Sequence, residues 1–540
     1  MKRINKFIYT LTLFTCFMFL FNNCTDLEVE NWQAPNRDEA LGDPEDLMSL
    51  LDGAYATCAE ELVNWRNFHV DAWADQTSVT NAWGGFWFFT QEPRNMIPNT
   101  STWSDRHNIE HPWNEFNKTV NSANSVILAI LGSEGTDPIV IESEGVDYTQ
   151  KTLGAAYFIR GVAQGYIGLY YDKGYVVNED TDLTTLEFED YHALVAAGIA
   201  SIDLAIGIYQ GSSLVWDYWG EEVWTADEFV KIANSFKARF LACEARNKTE
   251  GDAQAWGTIK SLAESMDFDF IITNEAGKFA FWYHDWICYL MGMKSPYLQV
   301  DMKIPYFFTK YYPADPANIY PNEYPADESI ILEPAESDDQ RLGPACVVDG
   351  EYVIDWTQLY TLGDFVYTPE FGYLRATRGR YLFSNYVFIR YQHDFWPNGI
   401  YAGQPAEFLL KAEMDLLRAE AEIQLGNNDA AMLILNDPAN ARKVRGNLPD
   451  LTDASTDALM AQIEYETYIE LFGTGKGLQW HAMRRWDRLK LGTPLHMPVP
   501  ASELEITGDE LYTFGGSAAG DGTGTSDGSR AWAPLQSSFK

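Results

Sequence analysis

The chain has 540 residues, of which 46% are apolar and 14% aromatic, with no long low-complexity run, so it can bury a sizeable core. Its formal charge is −40, and −43 without the first 23 residues, which hold Lys2, Arg3 and Lys6 and no acid. Such a surface repels phosphate backbones and anionic headgroups and lacks a basic stripe, which excludes nucleic acid as a partner but names no ligand. Length alone allows roughly two to four domains. No Pro- or Ser-rich linker separates them, so residues 24–540 read as one domain.

At the N-terminus, Lys2, Arg3 and Lys6 precede a 15-residue apolar stretch, Phe7 to Phe21. That is the n-region and h-region of a signal peptide over residues 1–23, too short for a comfortable spanning helix. Cys24 follows Asn22 and Asn23 at the place of a lipoprotein cysteine, although Asn23 is a poor match to the usual small residue; an ordinary secretory signal is the alternative. No second spanning segment is read downstream. Cys58, Cys243, Cys288 and Cys346 are widely spaced with no C-x-x-C, which argues against a metal framework. Cys58 and Cys243 fall in helical, apolar contexts and read as buried thiols.

Asp43 before Pro44 predicts an N-cap and first position for a helix reaching Glu61. Further helices are expected at about 118–131, 149–171, 189–210, 226–247 and 252–265. Gly161, Gly165 and Gly168 in one of these point to close helix packing rather than a membrane dimer, because Arg160 and Gln164 accompany them. Asn178, Asp180, Asp182 and Glu189 occupy positions 1, 3, 5 and 12 of an EF-hand count, but Leu183 stands where the turn needs Gly. A structural Ca is thus only a thought, a loop of solvated acids the plainer reading.

Two stretches break the helical pattern. Residues from about 65 to 113 hold Trp73, Trp83, Phe86, Trp87, Phe88, Phe89 and Trp103 among Gly, Asn, Thr and Ser. Those from about 268 to 403 hold Pro296, Pro305, Pro313 and Pro316 with Trp282, Trp286, Tyr311 and Tyr312. Helical repeats, about 43–265 and 404–506, frame these loops.

In the C-terminal run, Leu410, Met414, Leu417, Ala421 and Leu425 recur at helical spacing, with Lys411, Asp415, Arg418 and Glu422 on the opposite face. Gly426 suits a helix end, and Asn427, Asn428 and Asp429 suit the cap of a second helix near Ala430. Asp437 and Pro438 predict a restarted turn ending at Gly446. A third helix begins near Ser455 or Thr456, carries Ala461, Tyr465, Tyr468 and Phe472, and stops at Gly473. Stacked helical pairs follow from these short joints. Glu466 and Glu470 are expected to meet Arg484 or Arg485 in a structural ion-pair cluster. The tail from Gly515 to Ser529, rich in Gly, Ser, Thr and Asp, reads as a mobile loop.

The segments LLKAEMDLLRAEAEIQLGNNDAAMLILN (409–436), IEYETYIELFGTGKGLQWHAMRRWDRL (463–489) and TPLHMPVPASELEI (493–506) resemble the C-terminal signature of the SusD/RagB family. Those are Bacteroidetes outer-membrane lipoproteins that bind nutrients, usually glycans. WADQTSVTN (73–81), NSANSVI (121–127), FIRGVAQGYIGLYY (158–171) and FVKIANSFKARFLACEARN (229–247) also resemble family segments, in the family's order. The chain departs at Thr467, where the family commonly has Arg, at His481, where it has Asp, and at the Asp-Pro pair that interrupts a helix near Asn440. The resemblance implies an all-α, tetratricopeptide-like scaffold of helical pairs with long irregular loops. It also implies lipidation at Cys24, export to the outer leaflet signalled by Asp26, Glu28 and Glu30, and a SusC-like TonB-dependent transporter as partner.

A sugar ring has one apolar face and a rim of hydroxyls, so its site wants aromatic platforms beside carboxylates, amides or guanidinium groups. The segment 73–89 offers Trp83 and Trp87 as platforms and Asp75, Gln76 and Asn81 as hydroxyl partners, with Arg94 close behind. Gly84 and Gly85 allow a tight turn beneath them. Trp282, Trp286, Tyr311 and Tyr312 are the second choice. For any single aromatic, packing beneath a loop is the competing reading.

Catalysis finds little support: no H-E-x-x-H, no G-x-S-x-G, and a Gly-Lys at FGTGKGL (472–478) that lacks the rest of a P-loop. The sequence reading is a lipid-anchored glycan-binding protein, not an enzyme, with no cofactor. A peptide- or glycoprotein-binding module of the same transporter type and a surface glycoside hydrolase are the alternatives. The glycan's identity, linkage and length are not legible.

Overall fold

The computed structural model describes residues 41–63, 68–79, 83–91, 93–132, 137–220, 222–273, 298–301, 303–309, 337–344, 347–348, 351–352, 363–367, 384, 386–391, 406–516 and 523–530. The leader, Cys24, Asn81, Trp282, Trp286, Cys288, Tyr311, Tyr312 and Cys346 lie outside them.

The N-terminal half runs α1 (Pro44–Leu62), α2 (Phe68–Trp73), α3 (Phe86–Thr90), α4 (His107–Leu131), α5 (Thr149–Tyr170), α6 (Tyr191–Tyr209), α7 (Ala226–Cys243), α8 (Lys248–Asp252) and α9 (Trp256–Ala263). After α10 (Lys303–Thr309) come α11 (Lys411–Gln424), α12 (Asn428–Leu435), α13 (Ala441–Val444), α14 (Thr456–Ile469), α15 (Leu478–Arg485) and α16 (Ala501–Thr507). The longer helices pack in a chain of contacts: α4 on α1, α5 on α4, α6 on α5, then α7 with α9, α9 with α11, and α11 with α12 and α14. This is an all-α stack of helical pairs. The described strands are only two to four residues long and pair two at a time.

Local chemistry sets the helix starts. The Asp43 side chain accepts from the Glu45 and Asp46 amides with Pro44 in the first turn, as the sequence predicts. Thr225 and Glu228 form a full capping box on α7, and Ser455 caps α14. Gly426, with φ +81°, follows α11. The restarted turn differs from expectation: Asp437 caps only a turn, accepting from the Ala439 amide, and α13 begins after Asn440.

The glycines of α5 explain its closeness to α6. A Cβ on Gly161 would lie 2.6 Å from the Gly198 carbonyl oxygen, and one on Gly198 would lie 2.7 Å from the Gly165 nitrogen. A Cβ on Gly168 would lie 2.8 Å from the Val195 side chain. α6 is also, against expectation, the one described helix long and apolar enough to cross a membrane; Leu194, Gly198, Ser201, Ile202 and Ala205 are buried along it. Behind this pair, Trp216 sits fully buried among Tyr55, Phe158 and Phe229. Cys58 and Cys243 are free, buried thiols, pushed up by burial.

Two-faced packing fails for α11. On its charged face Asp415 and Glu422 are buried and Lys411 and Arg418 half-buried, and Glu413 and Glu420, which lie off that face, are buried as well. Glu413 takes Arg239 of α7 at 2.7 and 2.5 Å, and Glu420 takes Arg485 at 3.0 and 2.6 Å with the Trp486 indole at 2.6 Å. Leu425 ends 48% exposed instead of packed.

The expected cluster around Glu466 and Glu470 also has other partners. Arg341, from the irregular middle, reaches Glu466 at 2.5 Å and Glu470 at 3.1 Å, while Asp339 holds its other edge at 2.7 Å. Arg390 and Arg445 complete the Glu470 side. Arg484 donates to the carbonyls of Cys243 and Leu495. Long-range chain return, not helix spacing, chooses these pairs.

The tail is docked where described. The Leu495 amide donates to the Gly524 carbonyl at 2.9 Å, Gly492 to Ser526 at 2.9 Å, and Ser526 to Thr493 at 2.8 Å. Backbone pairing, invisible in a Gly- and Ser-rich composition, holds the described part around Gly524 and Ser526 where a mobile loop is expected; residues 517–522 lie outside the described residues.

Candidate ligand-binding surface

The loop after α2 turns at Asp75, whose φ of +57° is in the left-handed region that Asp tolerates better than most residues. Its carboxylate meets Arg94 at 2.6 Å and Lys490 at 3.0 Å. Arg94 also donates to the carbonyls of Phe89, Ala72 and Trp73 and to Thr493 Oγ1. Burial works to raise the Asp75 carboxyl, but Lys490 and Arg94 outweigh it and hold the group below the usual range. Asp75 and Arg94 are 3% and 4% exposed. The structure therefore places these two expected hydroxyl partners inside the protein, where Arg94 straps the loop to the C-terminal segment. Gln76 is buried as well. Trp73 packs in the core against Phe89 and Trp480.

Beyond the strap the chain forms a 3-10 turn, Trp83–Gly85, in which Gly84 and Gly85 have φ of +62° and +79°. A Cβ on Gly85 would sit 2.6 Å from Asp105 Cβ, so only glycine fits there. Asn108 Nδ2 donates to the Gly84 carbonyl at 2.9 Å and fixes the turn on α4. In α3, Phe86 and Phe89 point inward and are buried, while Trp87 and Phe88 are half-buried. Phe88 meets Trp103, also half-buried, at 5.4 Å between ring centroids. Trp87, Phe88 and Trp103 are thus the partly exposed aromatics of this region, Phe88 and Trp103 in contact. The Trp83 side chain lies outside the described residues. Phe88 and Trp103 are partly exposed aromatics beyond the expected platforms Trp83 and Trp87, and the helical register of 86–90 is the signal that separates inner from outer rings.

The two irregular stretches meet. Thr77 and Ser78 pair antiparallel with Val300 and Gln299, and the Asp301 amide donates to the Gln76 carbonyl at 3.1 Å. Ser78 Oγ donates to the Asp301 carboxylate, and Ser384 Oγ to the Val300 carbonyl at 2.7 Å. On the following helix, α10, Phe307 and Phe308 pack on Tyr465 and Tyr468 of α14. One wall of the helical stack therefore anchors both loop regions.

Beneath this junction sits a sealed charge cluster. Burial, followed by the nearby Asp75 charge, pushes the Asp301 carboxyl up to about 6. Burial lowers Lys303 to about 8, and its Nζ donates to Tyr468 Oη at 2.7 Å. These groups position the loops and are closed to solvent, Asp301 being 1% and Lys303 2% exposed.

In the EF-hand-like stretch Asn178 and Asp182 bond to its own backbone. Asn178 Oδ1 accepts from the Asp180 amide, and Asp182 caps a 3-10 turn through the Thr184 amide. Among the described residues no group of three or more His, Cys, Asp or Glu side chains is placed to hold a metal ion.

Known structures share this architecture. A SusD superfamily protein from Parabacteroides distasonis superposes with TM-score 0.58 at 11% identity, over 87% of this chain and 98% of that one. A SusD-like carbohydrate binding protein from Bacteroides fragilis gives 0.52 at 14% identity, over 83% and 87%. Surface glycan-binding protein A from Bacteroides uniformis gives 0.52 at 11%, over 87% and 99%. No family model and no curated protein matches the chain. The fold is that of the SusD-like proteins: an all-α, tetratricopeptide-like scaffold carrying irregular loops.

Proposed function

We propose that the protein belongs to the SusD/RagB family and is a glycan-binding lipoprotein of the outer membrane. Anchored through Cys24 and facing the exterior, it passes captured oligo- or polysaccharide to a SusC-like TonB-dependent transporter without turning it over. The observation that carries this reading is the fold shared over 83% and 87% of this chain with proteins named as carbohydrate or glycan binders. The partly exposed rings of Trp87, Phe88 and Trp103 support it, because such rings suit the apolar face of a sugar. Trp83 and Trp87 remain the platform proposed first, with Trp282, Trp286, Tyr311 and Tyr312 as further sequence candidates.

Isothermal titration of the purified full-length chain against plant, host-mucin and microbial polysaccharides, with peptides alongside, tests the reading. One glycan is expected to bind, and Trp87→Ala to weaken it by about 2 kcal/mol, roughly 30-fold, with melting unchanged. Binding of peptides and of no glycan refutes it.

A further inference from the structure

A cleft of about 370 Å³ opens between the first half of α1, the N-terminus of α5 and the turn 217–220. It shares no lining residue with the aromatics Trp87, Phe88 and Trp103 described above, and its volume falls at the small end of the roughly 300–1,000 Å³ typical of small-molecule sites. Its wall carries Tyr55, Tyr148, Lys151, Asp217, Tyr218 and Trp219. Tyr218 stacks on Tyr55 at 4.1 Å and remains half-buried, and Tyr148, also lining the cleft, is half-buried. Lys151 and Asp217 pair at 2.7 Å with their side chains 16% and 40% exposed.

The turn is held in a costly shape. Trp219 has φ +66°, and the other non-glycine residues with positive φ among those described are Asp, Asn or Glu. Its indole donates to the Tyr55 carbonyl at 2.8 Å, and its own carbonyl accepts from the Thr273 amide at 3.1 Å. At Gly220 a Cβ would fall 1.9 Å from Thr273 Oγ1. The strain is locked from both sides, and it presents Asp217 and Tyr218 to the cleft.

We propose that this cleft is a second carbohydrate site, taking a short neutral oligosaccharide end. The inference rests on the glycan reading for its ligand class. Lys151 is already neutralised by Asp217, so a phosphate or carboxylate ligand gains little there. The mixed aromatic and ionic wall suits a polyol with an apolar ring face better than an apolar peptide side chain.

The test is calorimetric titration of the full-length chain with maltose, cellobiose, xylobiose, mannobiose and N-acetyllactosamine. Two variants accompany it: Ser143→Trp, which fills the cleft from an exposed hairpin outside the core, and Tyr148→Ala with Asp217→Ala. One disaccharide is expected to bind, with at least a tenfold loss in both variants at unchanged melting temperature. Disaccharide binding unaffected by both variants overturns the cleft; if polysaccharide binding still depends on Trp87, the glycan reading stands. Disaccharide binding absent from the wild type overturns the cleft as well, and absence of all carbohydrate binding overturns both.

Discussion

Lys476, the lysine of the Gly-Lys segment, is fully buried and donates to Glu61 Oε1 at 2.8 Å and to the Glu61 carbonyl at 2.9 Å. His111 takes the other carboxylate oxygen at 2.6 Å. This contact ties α1 to the segment before α15 across 415 residues of sequence. Burial raises the Glu61 carboxyl, but Lys476 and His111 overcome it and bring the group from 4.5 to about 2. At about 1.4 kcal/mol per pH unit, that difference is roughly 3 kcal/mol in favour of the ionised form. The partner responds in the opposite sense: burial outweighs Glu61 and lowers Lys476. The pair as a whole is therefore worth less than the Glu61 shift suggests, and the cost of breaking it comes from stranding one charge. Lys476→Met is expected to lose about 3 kcal/mol in equilibrium urea unfolding, and Lys476→Met with Glu61→Leu to recover most of it. The Glu61 contribution is fully present above about pH 4.5 and is lost as pH falls toward 2. Costs that simply add in the double variant, or a single-variant loss under about 1 kcal/mol, refute the argument.

Gly161→Ala forces a Cβ against the Gly198 carbonyl, a backbone atom that cannot swing away, and should cost about 1–3 kcal/mol in the same assay. Native Lys303 releases its proton near 8 and the unfolded lysine near 10.5, so between these values the unfolded state binds more protons and stability rises with pH. In Lys303→Met that alkaline gain relative to wild type should vanish, which urea titrations at pH 7.5 and 9.5 would read. Gly524→Ala combines a φ of +69° with a Cβ 2.3 Å from Phe514, and it should undock the tail. Faster hydrogen exchange at the Leu495 amide is the expected signature.

Local patterns carried most of the scaffold. Asp43–Pro44, the cap at Ser455 and the glycine at 426 act through neighbours a few residues away, so spacing alone reads them. The family segments, in their order, led to the same fold. The loop glycines 84 and 85 were legible for the same reason, since a tight turn needs positive φ whatever surrounds it. What the sequence left undecided is which charges and rings face inward. Asp75 and Arg94 look like ligand groups in a string of polar residues, yet Lys490 and Thr493, some four hundred positions away, close over them. Glu466 and Glu470 go to Arg341 and not to the nearer Arg484 and Arg485, because the irregular middle of the chain returns across α14. Periodicity records one buried face of a helix. Only the tertiary packing decides how many faces are buried, and which distant charge satisfies each one.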